Sequence, residues 1–170
     1  MTGLISPLLG EPMPVLSNGD IFPALAINAV GGGTISLPGD LAGSFGVVLF
    51  YRGSWCPYCN AQLAAFSRAA NTLAELGVKV VALSVDDEAD SLVLVEKHRL
   101  GFPIGYGADA DEIAAATGAY TNDSPRYLQS TGFVLDPGGK VLTAVYSSGA
   151  IGRLVADDVA GFVRYVKSHK

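Results

Sequence analysis

Both cysteines of the chain lie in one stretch, Phe50-Tyr51-Arg52-Gly53-Ser54-Trp55-Cys56-Pro57-Tyr58-Cys59-Asn60. An apolar run, Val47 to Phe50, leads into it and reads as a buried strand. Behind it, Gln62 to Leu76 has helical spacing. The two thiols therefore stand where a strand ends and a helix begins. The first turn of a helix has N–H groups without intrahelical partners, and the helix dipole adds partial positive charge there. A thiolate at that end is stabilised, and the thiolate is the reactive form of cysteine. Pro57 suits the first helical position, since its missing N–H would be unpaired anyway. Cys56 then reads as the N-cap and Cys59 as a residue of the first turn. Residues three apart share a helix face, so the sulfurs can meet, form a disulfide and part again.

The remaining sequence narrows the setting. At 170 residues the chain is long enough for a real core, and we expect one domain over residues 1–170. A composition 49% hydrophobic and 16% charged argues against disorder. The formal net charge of −5 and the lack of a basic patch argue against nucleic-acid or anionic-membrane partners. No apolar run approaches the roughly 18 residues of a membrane helix. Met1 to Leu9 has no basic residue and no long apolar core, so we expect no signal peptide and a cytoplasmic protein. In a reducing compartment, a C-x-x-C pair is more often catalytic or metal-binding than structural.

The rest of the chain supplies a sheet with helices. Met1 to Pro14 is rich in Gly and Pro and reads as irregular. Phe22 to Val30 and Thr34 to Leu37 form a hairpin across Gly31-Gly32-Gly33. A phosphate loop is the sharper reading of those glycines, but no helix and no Lys follows them. Pro38 to Ser44 reads as a loop or one helical turn. Val47 to Tyr51 is the strand that delivers the cysteines. Leu63, Phe66, Ala70 and Leu73 make the apolar face of the next helix, which Gly77 ends. Val78 to Val85 reads as a strand buried on both faces. Asp86 to Asp90 caps a helix from about Ala89 to His98. Ile104 to Tyr106 is a short strand, Asp109 to Thr117 a short helix, and Gly118 to Gln129 a loop. Thr131 to Leu135 and Val141 to Tyr146 form a second hairpin around Pro137-Gly138-Gly139. Asp157 to Lys167 is a closing helix, with acids first and Lys167, His169 and Lys170 last, matching the dipole. The fold class expected is α/β, a three-layer α/β/α sandwich with a central mixed sheet and an N-terminal hairpin.

This order of elements, with the C-x-x-C at the strand end, resembles the thioredoxin-like superfamily. The nearest likeness is to its peroxiredoxin-like branch, the alkyl hydroperoxide reductase/thiol-specific antioxidant family. The resemblance spans about Gly10 to Lys170. It rests on Val47-Val48-Leu49-Phe50-Tyr51, on Val80-Val81-Ala82-Leu83-Ser84-Val85, and on Thr131-Gly132-Phe133-Val134-Leu135-Asp136-Pro137-Gly138-Gly139. It implies a thiol-dependent oxidoreductase that reduces peroxides through a Cys56/Cys59 dithiol–disulfide cycle and needs no cofactor. The implied partners are a peroxide and thioredoxin, glutaredoxin or glutathione as reductant, with pairing of two copies left open. Laid on the family's Thr-x-x-Cys, Cys59 takes the peroxide-reacting position and Cys56 that of the threonine. Trp55-Cys56-Pro57-Tyr58-Cys59 is also similar to the thioredoxin Trp-Cys-Gly-Pro-Cys, where the first cysteine attacks. Ser130 stands where peroxiredoxins carry a peroxide-binding arginine and thioredoxins a cis-proline. Arg126 lies four residues earlier and reaches the thiols only if its loop folds back.

Around the dithiol, Tyr51, Arg52, Trp55, Pro57, Arg126 and Ser130 are the candidate substrate- or partner-binding residues. Arg52 is placed to lower a thiol pKa or to orient a partner, unless it faces solvent. Trp55 suits an apolar docking rim, or plain packing. Tyr58 is expected to be exposed. Asp86 and Asp87 read as helix caps rather than catalytic acids. A tetrahedral zinc site usually needs four N or S ligands. Only two cysteines exist, and His98 and His169 read as solvated, so no metal is expected. An N-cap sulfur favours Cys56 as the better and more exposed thiolate. The expected division gives Cys56 exchange with a reductant and Cys59 the reaction with peroxide. The alternatives are a protein disulfide reductase that needs no peroxide, and a redox-sensing binding module without turnover.

Overall fold

The computed structural model describes residues 14–169; the readings made on Met1 to Met13 and on Lys170 lie outside them. The strand that feeds the dithiol is β3, Phe45–Phe50, and all six of its residues are buried. A strand that is apolar on both faces must be covered on both faces, and it is. Val47, Leu49 and Tyr51 point into one core with Leu63, Phe66, Leu94 and Val163. Val48 and Phe50 point into a second core with Ile113, Leu128 and Phe133.

β3 pairs in parallel with β4, Val78–Leu83, which pairs in parallel with β5, Ile104–Tyr106. On its other side β3 runs antiparallel to β8, Thr131–Leu135, and β8 to β9, Val141–Tyr146. The hairpin of β1, Leu25–Ala29, and β2, Thr34–Leu37, extends the sheet beyond β5. The order is β2-β1-β5-β4-β3-β8-β9, the mixed seven-stranded sheet expected. Gly31, Gly32 and Gly33 all have positive φ, which their hairpin turn requires and which glycine adopts without strain. One face of the sheet carries α1, Pro57–Arg68; α2, Ala70–Glu75; α3, Glu88–His98; and α5, Ala156–Ser168. α4, Ala110–Thr117, lies on the other.

Three details depart from the sequence reading. The helix expected to run from Pro57 through Leu76 breaks into α1 and α2 at Ala69. Nothing in Arg68-Ala69-Ala70 foretells the break, since alanine is the best helix former. The buried face of that segment holds Gln62 as well as Leu63, Phe66 and Leu73, while Ala70 is exposed. The loop over Gly118 to Gln129 contains a two-residue hairpin, β6, Thr121–Asn122, with β7, Tyr127–Leu128. Strands that short leave no periodicity to read. Among the described residues, no helix is long and apolar enough to cross a membrane.

Candidate active site

Cys56 is the N-cap of α1 in extended conformation, and Pro57 opens the helix, as expected. The Cys59 N–H donates to Cys56 Sγ at 3.3 Å, which satisfies one orphan donor of the first turn. The loop before the helix is held from two sides. Asn60 Nδ2 donates to the Ser54 carbonyl at 3.0 Å, and the Ser54 N–H donates to Asp86 Oδ2 at 2.7 Å. Asp86 thus positions the site loop rather than capping α3; the cap is Asp87, whose Oδ1 accepts from Asp90 N–H at 2.8 Å. Burial pushes the Asp86 carboxyl up, against the pull of the Ser54 donor. Gly53 lets the Trp55 indole fold over the loop, because a Cβ there would collide with it.

Two guanidinium groups converge on the sulfurs. Arg153 Nη2 lies 3.1 Å from Cys59 Sγ and 3.7 Å from Cys56 Sγ, so one nitrogen touches both. Its other nitrogens are anchored: Nε donates to the Ala150 carbonyl at 2.7 Å and Nη1 to Gln62 Oε1 at 2.8 Å. Gln62 is itself tied by Nε2 to the Leu154 carbonyl at 3.0 Å. Arg52 Nη1 lies 3.7 Å from Cys56 Sγ, and the Arg52 backbone N–H donates to Cys59 Sγ at 3.3 Å. The Arg52 side chain is fixed by Gln129 Oε1 at 2.9 Å and Tyr127 Oη at 3.0 Å. It also lies over the Trp55 and Tyr127 rings, 5.0 and 5.3 Å from their centroids.

These contacts split the two thiols. Burial pushes Cys56 up, but donation from the Cys59 thiol, the Cys59 N–H and Arg52, with the charge of Arg153, brings it below the ordinary thiol value. Cys59 is pushed up, first by burial and then by giving its proton to Cys56; Arg52 N–H and Arg153 oppose this only in part. Of the two, Cys56 is therefore the sulfur that gives up its proton more readily, and Cys59 the one that keeps it and donates to Cys56. The sequence reading made Cys56 the more exposed sulfur. Instead both cysteines are 0% exposed, beneath the arginines and the edge of the helical core.

The other candidates fall as follows. Tyr51 is fully buried beside the thiols, and its hydroxyl has no hydrogen-bond partner among the described residues. Burial first of all pushes it up to about 12, so it stays a neutral hydroxyl. Trp55 and Tyr58 are both 54% exposed, on the rim, and Trp55 also packs edge-on to Tyr127. Ser130 is buried just before β8, and its carbonyl accepts from Ser147 N–H at 3.0 Å. Arg126 is not brought to the thiols: its guanidinium is paired with Asp111 and Asp123 on the surface. The cation expected from that loop is supplied by Arg153 instead. His98 also departs from expectation, since its Nε2 is buried without a partner. Among the described residues, no group of three or more His, Cys, Asp or Glu is placed to hold a metal.

Arg153, Gln62, Gln129 and Tyr127 escaped the sequence reading. For Gln62 a signal existed: a polar residue three positions after Cys59 on the buried face of the same helix.

A thioredoxin-type sheet with two thiols at a strand-to-helix junction, under two arginines, defines a dithiol redox protein. The AhpC/TSA family model matches residues 18–144. A peroxiredoxin from Treponema denticola is 33% identical over 160 residues, covering 92% of this chain and 74% of the relative. One from Chlorobaculum tepidum is 32% identical over 145 residues, covering 83% and 67%. Among solved structures, Mycobacterium tuberculosis AhpC superposes with a TM-score of 0.78 over 92% of this chain and 96% of that one, at 22% identity. The chain belongs to the AhpC/TSA family. Arg153 lies beyond the stretch that the family model matches.

Proposed function

We propose that this member of the family is a peroxide-reducing thiol peroxidase whose working unit is the Cys56/Cys59 pair. The observation that carries this is Arg153 Nη2 within reach of both sulfurs, 3.1 and 3.7 Å away. A fixed cation there can receive charge that moves from one sulfur to the other or onto a departing oxygen. Cys59, with the shorter Arg153 contact and the family's peroxide-reacting position, attacks. Its proton first shifts to Cys56 across their hydrogen bond. The Cys59 thiolate then takes the near oxygen of the peroxide, the O–O bond breaks, and the alkoxide leaves and is protonated by solvent. Cys59 is now a sulfenic acid. Cys56 attacks its sulfur, the S–O bond breaks, and the Cys56 proton departs with the hydroxide as water. The product is the Cys56–Cys59 disulfide. A thiol reductant returns it to the dithiol by exchange.

Trapping tests the assignment. Cys56→Ser treated with hydrogen peroxide is expected to accumulate a sulfenic acid on Cys59 that a dimedone-type reagent captures. Label on Cys56 in Cys59→Ser, with none on Cys59 in Cys56→Ser, reverses the roles. No label in either variant removes the peroxidase reading.

A further inference from the structure

The fold treats two cations differently from all the others. Every lysine and arginine among the described residues is exposed except Arg52 and Arg153, which are half-buried and aimed at the sulfurs. Among the described residues, neither has a carboxylate within ion-pair distance, and both ion pairs there belong to Arg126. Their fixed partners are neutral: Gln129, Tyr127, Gln62 and the Ala150 carbonyl. Among the described residues, the acidic group that both face is the Cys56/Cys59 pair, which carries negative charge when it loses a proton. Half-buried charge without a counter-ion is costly, so the thiolate serves the arginines as much as they serve it.

Oxidation removes that anion. A disulfide sulfur carries no charge and accepts hydrogen bonds weakly. The two guanidiniums are then left with neutral partners only, in a chain whose formal net charge is −5. Whatever meets the disulfide meets an uncompensated pair of cations. Resting on the dithiol cycle above, we infer that the oxidised site is a binding site for an anionic thiol reductant: a small thiol carrying a carboxylate a few bonds from its sulfur. Arginine binds carboxylate through two parallel N–H donors. Arg52 stands 3.7 Å from Cys56 Sγ, so a sulfur in line on Cys56 puts its own carboxylate within that arginine's reach. The exposed Trp55 beside it supplies the apolar wall.

The ligand thiolate attacks Cys56 Sγ, a new S–S bond forms, and the Cys56–Cys59 bond breaks. Its electron pair stays on Cys59 Sγ, where Arg153 Nη2 and the Arg52 N–H receive it. A second ligand thiolate attacks the ligand sulfur of the mixed disulfide and releases the Cys56 thiolate. Two ligand thiols are oxidised to their disulfide, the protein pair gains two electrons, and one proton from solvent returns Cys59 to its thiol.

The test starts from full-length protein oxidised with diamide, so it does not depend on reaction with peroxide. Trp55, the single tryptophan, reports reduction on rapid mixing with 3-mercaptopropionate, 2-mercaptoethanol or cysteamine, compared per thiolate. The anionic thiol is expected to react at least about tenfold faster than the cationic one at low salt, and the preference should collapse as ionic strength rises. Arg52→Gln and Arg153→Gln should each weaken the preference, and the double variant should abolish it. Equal rates, a preference for cysteamine, or a preference unmoved by salt overturns the inference. The salt dependence in the unmodified chain decides even if a variant fails to fold. A chain whose cysteines diamide cannot bridge has no such site. A chain that shows the charge preference yet ignores peroxide keeps this inference and loses the peroxidase reading.

Discussion

Two segments bring arginine to the same pair of sulfurs, and they do so by different physics. Residues 50–62 act locally. A buried strand ends, a glycine-permitted loop turns under Trp55, and a proline-started helix sets Cys56 and Cys59 three apart. Arg52 reaches its thiol because it is four residues from it. Residues 147–155 act at long range. They follow β9 with no regular structure of their own, and Arg153 lies 94 positions from the Cys59 sulfur it touches at 3.1 Å. That loop is placed by hydrogen bonds to the rest of the site: Ser147 N–H to the Ser130 carbonyl, Gln62 Nε2 to the Leu154 carbonyl, and Arg153 to Gln62. A short-range motif thus sets the nucleophiles, and a distant loop sets the charge above them.

The strongest way to break this comparison is to remove the distant partner. Arg153→Ala is expected to slow peroxide oxidation of the dithiol by about 10²-fold, the usual cost of losing one donor aimed at developing charge. Arg153→Lys should restore only part of the loss. An ammonium is a point charge and cannot also hold Gln62 and the Ala150 carbonyl in the planar fork that arginine provides. Stopped-flow oxidation of the reduced variants measures both. If Arg153→Ala reacts at the normal rate, the 147–155 loop is scaffolding and Arg52 alone supports the thiols.

The same contrast explains what was legible from sequence. The strand, the N-cap cysteine, the Pro57 start and the two flanking hairpins follow from local rules: burial pattern, capping, proline geometry and glycine turns. They are where the sequence placed them, within a few residues. Of the two cations, Arg52 was legible from its place beside the thiols, but the second was sought at Arg126, where nearness in sequence to Ser130 was the only guide. Gly149-Ala150-Ile151-Gly152-Arg153 has no periodicity and no cap, so nothing in it says that its arginine turns inward. Gln62 is the residue that announced a buried polar network. Its place on the apolar face beside Leu63 and Phe66 demanded a partner.

A subtler prediction concerns the two thiols themselves. Cys56 is held below the ordinary thiol value and Cys59 above it. A lower pKa means a larger thiolate fraction at a given pH, so the alkylation rate should reach its plateau at lower pH. In Cys59→Ser, where the serine hydroxyl still donates to Cys56, the iodoacetamide profile should therefore have its midpoint below about 8.5, the free-cysteine value. Adding Arg52→Gln removes one of the donors that lower it, and the midpoint should move back up. A midpoint at or above the free value, unmoved by Arg52→Gln, means that burial outweighs the donors around Cys56.

Arg126, the second arginine that the sequence offered beside Arg52, should matter least. Arg126 is paired with Asp111 and Asp123, whose side chains are 74% and 94% exposed. Pairs in that much water are screened and contribute little. Arg126 belongs to the turn between β6 and β7, while the residue of that hairpin that touches the site is its neighbour Tyr127, through Arg52 and Trp55. Arg126→Ala should therefore leave the peroxide rate unchanged and move the melting midpoint by no more than about 2 °C. Tyr127→Ala, one position along, should disturb the fluorescence of Trp55 and the alkylation profile of Cys56. The outcome that overturns this is a large loss of peroxide reactivity in Arg126→Ala with folding intact. It would mean that the β6–β7 turn leaves its surface ion pairs during turnover and folds over the thiols, and that the site has a third cation.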